Sequence, residues 1–155
     1  MFLLAIDPHV KQCAIAVFKD RKLFNIKTVN TNELISIPEF EIHITPGKEF
    51  HLVIERPWIG KNPKGSITLA ITVGKIMGSL IRSGFEVHEA PAWGVNGSWI
   101  ADMLSTGNRI PTTLQVKKLS MQIAKAEYPD FDIDEHAAAA ILMGMWWIKK
   151  RRMEG

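Results

Sequence analysis

Apolar and polar positions fall into two regimes along this chain. Phe2-Leu3-Leu4-Ala5-Ile6 is uninterrupted, and so is Leu52-Val53-Ile54 after Phe50-His51. Short all-apolar runs of this kind read as strands buried on both faces. The first predicts a strand over 2–7, followed by a loop from Pro8 to Gln12. Cys13–Lys19 and Lys22–Val29 then form a hairpin about Asp20-Arg21. Residues 30–48 are polar, with Pro38 and Pro46-Gly47, and hold a short turn of helix plus loop. Phe50–Glu55 and Phe85–Glu89 read as further strands.

Longer segments follow the helical period. Ser66 caps a helix that runs to Arg82 and ends at Gly84, after a Lys61–Gly65 loop. A short helix lies about Trp99–Leu104, and Thr112 or Thr113 caps another that reaches about Tyr128, where Pro129 stops it. The last helix starts near Asp134 and runs to Lys150. Strands with a hairpin, then a helix, a strand and more helices predict an α/β fold: a mixed five-stranded sheet with helices on both faces. At 155 residues and 46% apolar content the chain reads as one domain over 1–155.

Composition narrows the setting. No run of about 18 uncharged apolar residues is present, so no membrane span is expected. The N-terminus reads directly into a strand without a basic leader, so no signal peptide is expected. The single Cys13 fits a reducing cytoplasm. The net charge of +3 is unevenly spread: Lys149-Lys150-Arg151-Arg152 is a basic tail, and Lys61, Lys64, Lys117 and Lys118 sit near loops and helix starts. Basic groups around an acidic centre suit a polyanion, although each lysine equally fits an ordinary solvated surface.

The acidic centre is what points to chemistry. Two predicted strands end on carboxylates, Asp7 and Glu55, and Asp132-Ile133-Asp134-Glu135-His136 opens the last helix. Acids at a sheet rim followed by a third acidic cluster suggest a shared divalent ion and a nuclease. Each residue also has a plain structural reading. Asp7 can form an Asx turn with Pro8, Glu55 can pair with Arg56 or Lys61, His136 can bond Asp132 or Asp134, and Asp134 is a good N-cap.

The order of elements and the segments Ile6-Asp7-Pro8, Val53-Ile54-Glu55-Arg56-Pro57-Trp58, Lys61-Asn62, Leu69, Gly74, Ala92-Trp93 and Glu135-His136-Ala137-Ala138 resemble the RuvC-type Holliday junction resolvases. These belong to the ribonuclease H-like superfamily, and the likeness is strongest to phage members. It spans nearly the whole chain and implies a dimeric, Mg²⁺-dependent endonuclease, with Mn²⁺ as a substitute, that resolves four-way and other branched DNA. It implies that Asp7 bridges two ions, that Glu55 binds one, and that His136 binds metal or shuttles a proton. Trp58 would stack on an unpaired base, where its plain reading is packing over an apolar groove. Lys61, Asn62 and Lys64 would hold phosphates, with Lys117 and Lys118 in looser correspondence. The helix from Ser66 to Arg82, with Gly74 and Gly78, would form the subunit interface, whereas Trp93, Trp99, Trp146 and Trp147 read as core or interface.

One position departs from the family pattern: Ala139 stands where a metal-binding Asp is expected, three residues beyond His136. Three explanations stand. An Asp has been replaced there by engineering; or Asp132, Asp134 or Glu135 supplies the ligand; or the chain binds junctions without cutting them. A ribonuclease H-like nuclease acting on RNA–DNA hybrids is a further alternative.

Overall fold

The computed structural model describes residues 1–36, 48–57, 60, 62–93, 97–105, 109 and 111–155. The apolar run at the N-terminus becomes β1 (Phe2–Asp7), the centre of a five-stranded sheet of order β3-β2-β1-β4-β5. β2 (Gln12–Lys19) and β3 (Lys22–Asn30) extend it by antiparallel pairing, joined by Asp20 and Arg21 at φ 49° and 72°. Those left-handed angles match the right-handed twist of a two-residue hairpin. β4 (Phe50–Glu55) and β5 (Glu86–Ala90) add on the other side, parallel to β1. The mixed sheet is the one the sequence predicts.

Alternation along the strands divides the core. Leu4, Ile6, Leu52 and Ile54 face one layer, α1 (Thr31–Ser36) and α2 (Pro63–Arg82), meeting Val73, Ile76 and Leu80. Leu3, Ala5 and Val53 face the other, formed by α3 (Trp99–Leu104), α4 (Thr113–Glu127) and α5 (Glu135–Glu154). α5 lies closest to the sheet. A Cβ on its Gly144 would overlap the Phe18 ring, so the missing side chain sets how near the helix comes.

Several boundaries differ from expectation for local reasons. α2 begins at Pro63, capped by Asn62, whose side chain accepts from Gly65 N at 3.2 Å. Proline fits there because a first-turn residue needs no N–H partner. Ser66, the predicted cap, lies one turn inside, and its Oγ accepts from Gly60 N. α5 continues past Lys150 to Glu154, and β5 starts one residue later than predicted. Thr112 caps α4 in a reciprocal box with Gln115. Among the described residues, no helix is long and apolar enough to cross a membrane.

Candidate active site

The parallel register Ile6↔Ile54 brings the ends of β1 and β4 side by side, so Asp7 and Glu55 close neighbouring strands. Both lie on the α5 side, following Ala5 and Val53 at the two-residue period of a strand. Across this rim stands the first turn of α5. Asp134 caps it by accepting from Ala137 N at 2.8 Å, and this fixes the direction in which the helix enters the sheet. His136, two residues on, reaches back until Nδ1 lies 3.3 Å from Asp7 Oδ2.

A second imidazole joins them. His9, in the loop after β1, places Nε2 3.2 Å from the same Asp7 oxygen, and the two imidazole rings meet edge to face at 4.6 Å. Asp7, His9 and His136 each offer a ligand atom within 4.8 Å of the others, a spacing that fits a divalent ion. His9 was missed at the level of sequence. The usable signal is its place two residues past a strand-end acid, in a loop that must turn beside that acid.

Electrostatics sharpen the picture. Burial pushes the Glu55 carboxyl up to about 7, and the Asp7 charge adds to the rise. Trp99 opposes it: its indole N–H donates to Glu55 Oε2 at 3.0 Å. Trp99 is a core residue, as predicted, and also the group that orients a candidate ligand. The hydrogen bond to Asp7 raises the His9 pKa. Two acids at one rim, one with a raised pKa and the other between two imidazoles, are the arrangement that a bound cation would relax.

The plain structural readings resolve unevenly. Arg56 pairs with Glu89 at 3.0 Å, leaving Glu55 free of it. His136 turns to Asp7 and, at 3.5 Å, to Glu135. The Asp134 carboxylate serves the helix cap. Glu135 pairs with Lys117 at 3.5 Å, which places that lysine at the edge of the site. Ala139 lies three residues beyond His136 on the same face of α5 and brings no ligand. Asn62 is committed as the α2 cap, while Lys64 is exposed on the first turn of α2 and Lys118 on the second turn of α4. Trp58 and Lys61 lie outside the described residues. A groove of about 760 Å³ runs beside the site, lined by His9, Lys11, Gln12, Asn32, Asp134 and His136.

No family model and no curated protein matches the chain. Solved structures do match. The Thermus thermophilus RuvC in complex with a Holliday junction substrate is 12% identical, with a TM-score of 0.69 over 99% of this chain and 96% of that one. Thermus thermophilus RuvC in a second structure gives the same identity and TM-score, over 99% and 97%. The chain therefore has the ribonuclease H-like α/β architecture. More narrowly, its fold is that of RuvC.

Proposed function

We propose that this protein is a divalent-metal-dependent endonuclease that cuts four-way and other branched DNA, of the kind found in phage. It would work as a homodimer in the cytoplasm of a bacterium or phage-infected cell, its single nuclease domain spanning 1–155. The observation that carries this reading is the meeting of Asp7, His9 and His136 at one rim of a RuvC-type sheet, with Glu55 on the neighbouring strand end.

The donor set fits a divalent cation. Asp7 and Glu55 suit Mg²⁺, and the two imidazoles widen the range towards Mn²⁺. A cation held by these residues would supply positive charge against the crowded phosphate and would acidify a bound water. The chain's own residues do the rest. Asp7 is held between two imidazoles, so its carboxylate has one orientation. Trp99 fixes that of Glu55. As the water oxygen bonds to phosphorus and the P–O bond breaks, the leaving oxygen takes the electron pair and needs a proton. Where Asp7, Glu55 and His9 hold the ion, His136, exposed and next to Asp7, is left to donate it, and the proton given up by the attacking water passes to solvent. Lys64, Lys117 and Lys118 supply sequence-independent phosphate contacts, and Trp58 would stack on an unpaired base.

Dimerisation has its own support. Ile67, Ile71 and Ile81 on α2 are 52%, 55% and 55% exposed, and with Gly74 and Gly78 they form one stripe. A Cβ on Gly74 would meet nothing within 4 Å among the described residues, so that glycine leaves room for a neighbour. A two-fold dimer would present two sites to a two-fold junction. Ile71→Glu is expected to give a folded monomer by light scattering. A variant that stays dimeric removes α2 from the interface.

Ala139 favours a second reading, a junction-binding protein without cleavage. One assay decides: cutting of a labelled four-way junction in Mg²⁺ and in Mn²⁺ by this chain, Ala139→Asp and Asp7→Asn. Cleavage by the chain itself, lost in Asp7→Asn, supports a site completed by His9. Cleavage by Ala139→Asp alone supports a disabled resolvase. Binding without cleavage in every case supports the second reading, and cutting of RNA–DNA hybrids but not junctions overturns both.

A further inference from the structure

At the other end of the same strands lies a second cluster. The register His51↔Glu86 and Val53↔His88 puts His51, Glu86 and His88 on the α5 side of β4 and β5. Glu55 is four residues further along β4, about 13 Å at strand rise. This cluster is therefore separate from the candidate active site, and its interpretation does not rest on the function proposed above.

Three features mark it as built. The His51 side chain is 2% exposed, and a buried imidazole needs partners for both nitrogens. Its Nδ1 lies 3.2 Å from His88 Nε2 and 3.6 Å from one Glu86 oxygen, while His88 Nε2 lies 3.7 Å from the other. Ligands about 2.0–2.2 Å from a tetrahedral ion stand roughly 3.3–3.6 Å apart, so these gaps are near those of a coordination shell. Behind it, His51 Nε2 faces Glu49 at 3.3 Å, the outer carboxylate that commonly orients a metal-bound histidine. Trp147 covers both imidazoles, with ring centroids 4.8 and 4.9 Å away. A cavity of about 500 Å³, lined by Glu86, His88, Trp147 and Arg151, opens onto the cluster and gives an ion and a water a way in.

We propose that His51 Nδ1, His88 Nε2 and a Glu86 carboxylate oxygen bind one Zn²⁺ or similar borderline metal, with water from the cavity in the fourth position. Two imidazoles and one carboxylate select Zn²⁺ over Mg²⁺, which prefers an all-oxygen octahedron. Without metal, Arg151 can only donate to His51 Nε2, 3.0 Å away, so His51 carries its proton on Nδ1 and donates it to His88. Metal binding moves that proton to Nε2, which then donates to Glu49, while Arg151 gives up its contact with that nitrogen and keeps its bond to Glu49. This is a tautomer change with no net loss of a proton. The ion ties β5, paired among the described residues with β4 alone, to the strand beneath the end of α5.

The test uses untagged full-length protein stripped with chelator, in an Asp7→Asn, His9→Ala, His136→Ala background that silences the other cluster. Zn²⁺ affinity is read by competition with a chromophoric chelator, Co²⁺ by its visible absorption, and stability by thermal melting in Zn²⁺ against Mg²⁺. The expected result is one Zn²⁺ per chain, tetrahedral-type Co²⁺ bands and a melting rise with Zn²⁺ only. Adding His88→Ala should weaken binding about 100-fold and abolish the bands, and Glu49→Gln should weaken it about 10-fold. Should the background variant not fold, His88→Ala and His9→Ala in the native chain give the same answer, since only the first should remove this binding. A background protein that binds no Zn²⁺, or a His88→Ala variant that binds it undiminished, overturns the assignment.

Discussion

α5 covers a histidine–carboxylate cluster at each end, and the two could hardly be housed more differently. At its N-terminal end, Asp7 ends a strand, His9 and His136 are exposed, and a groove of about 760 Å³ runs beside them. At its C-terminal end, His51 is buried mid-sheet, Trp147 roofs the imidazoles, and Arg151 lies 5.1 Å over Trp147. An open rim presents its exposed imidazoles directly to a large polyanion, whereas at the other end the buried His51 is reached through the cavity of about 500 Å³ that Trp147 helps to line. Similar side-chain chemistry thus serves two ends according to what the strand termini and the helix leave uncovered.

The largest effect should separate the ends outright. Asp7→Asn is expected to lower junction cleavage at least about 1,000-fold, a loss of roughly 4 kcal/mol of barrier lowering, while His88→Ala changes it less than about twofold. Comparable losses in both variants would make the two clusters one functional unit. Gly144→Ala should act on both ends at once. Its Cβ overlaps Phe18, so α5 must lift or the ring must move, at a cost of about 1–3 kcal/mol in urea unfolding. Zn²⁺ binding and cleavage should weaken together. A variant as stable as the parent would show that α5 does not rest on Phe18.

Much of this was readable before the structure. The sheet, its hairpin and the rim positions of Asp7 and Glu55 follow from strand-length apolar runs that stop on acids, and the α5 cap follows from Asp134 alone. The partners of these residues were less legible, because they depend on register. His9 sits in a loop whose path is set by the Thr31 hydroxyl, which donates to the His9 carbonyl at 2.7 Å from twenty-two positions away in sequence. Trp99 looked like core, and it is; only tertiary packing turns its N–H towards Glu55. His51 interrupts an apolar strand, and its meaning appears only when β5 brings His88 alongside. Ser66 lost the helix cap to Asn62 because Pro63 permits an earlier start.

The smallest effect should appear in metal-free stability against pH, where the two ends carry opposite signs. Burial raises Glu55 from its ordinary 4.5 to about 7, so over that window the folded chain holds a proton the unfolded chain has released. Stability from this group is full below about pH 4.5 and is lost by about pH 7. His9, raised by its bond to Asp7, acts in the same direction, its contribution present at low pH and lost as pH rises through its folded pKa. His88 is lowered by burial, so its neutral form is favoured, and its contribution is lost as pH falls below the ordinary imidazole value. In chelator, Glu55→Gln should therefore increase the free energy of unfolding at pH 8 and not at pH 4, by no more than about 3 kcal/mol. His88→Ala should reduce the relative loss of stability between pH 7 and pH 5. If Glu55→Gln tracks the parent at every pH, burial does not penalise the ionised carboxylate. The rim would then need no cation to relieve it, and the contrast between the two ends would reduce to exposure alone.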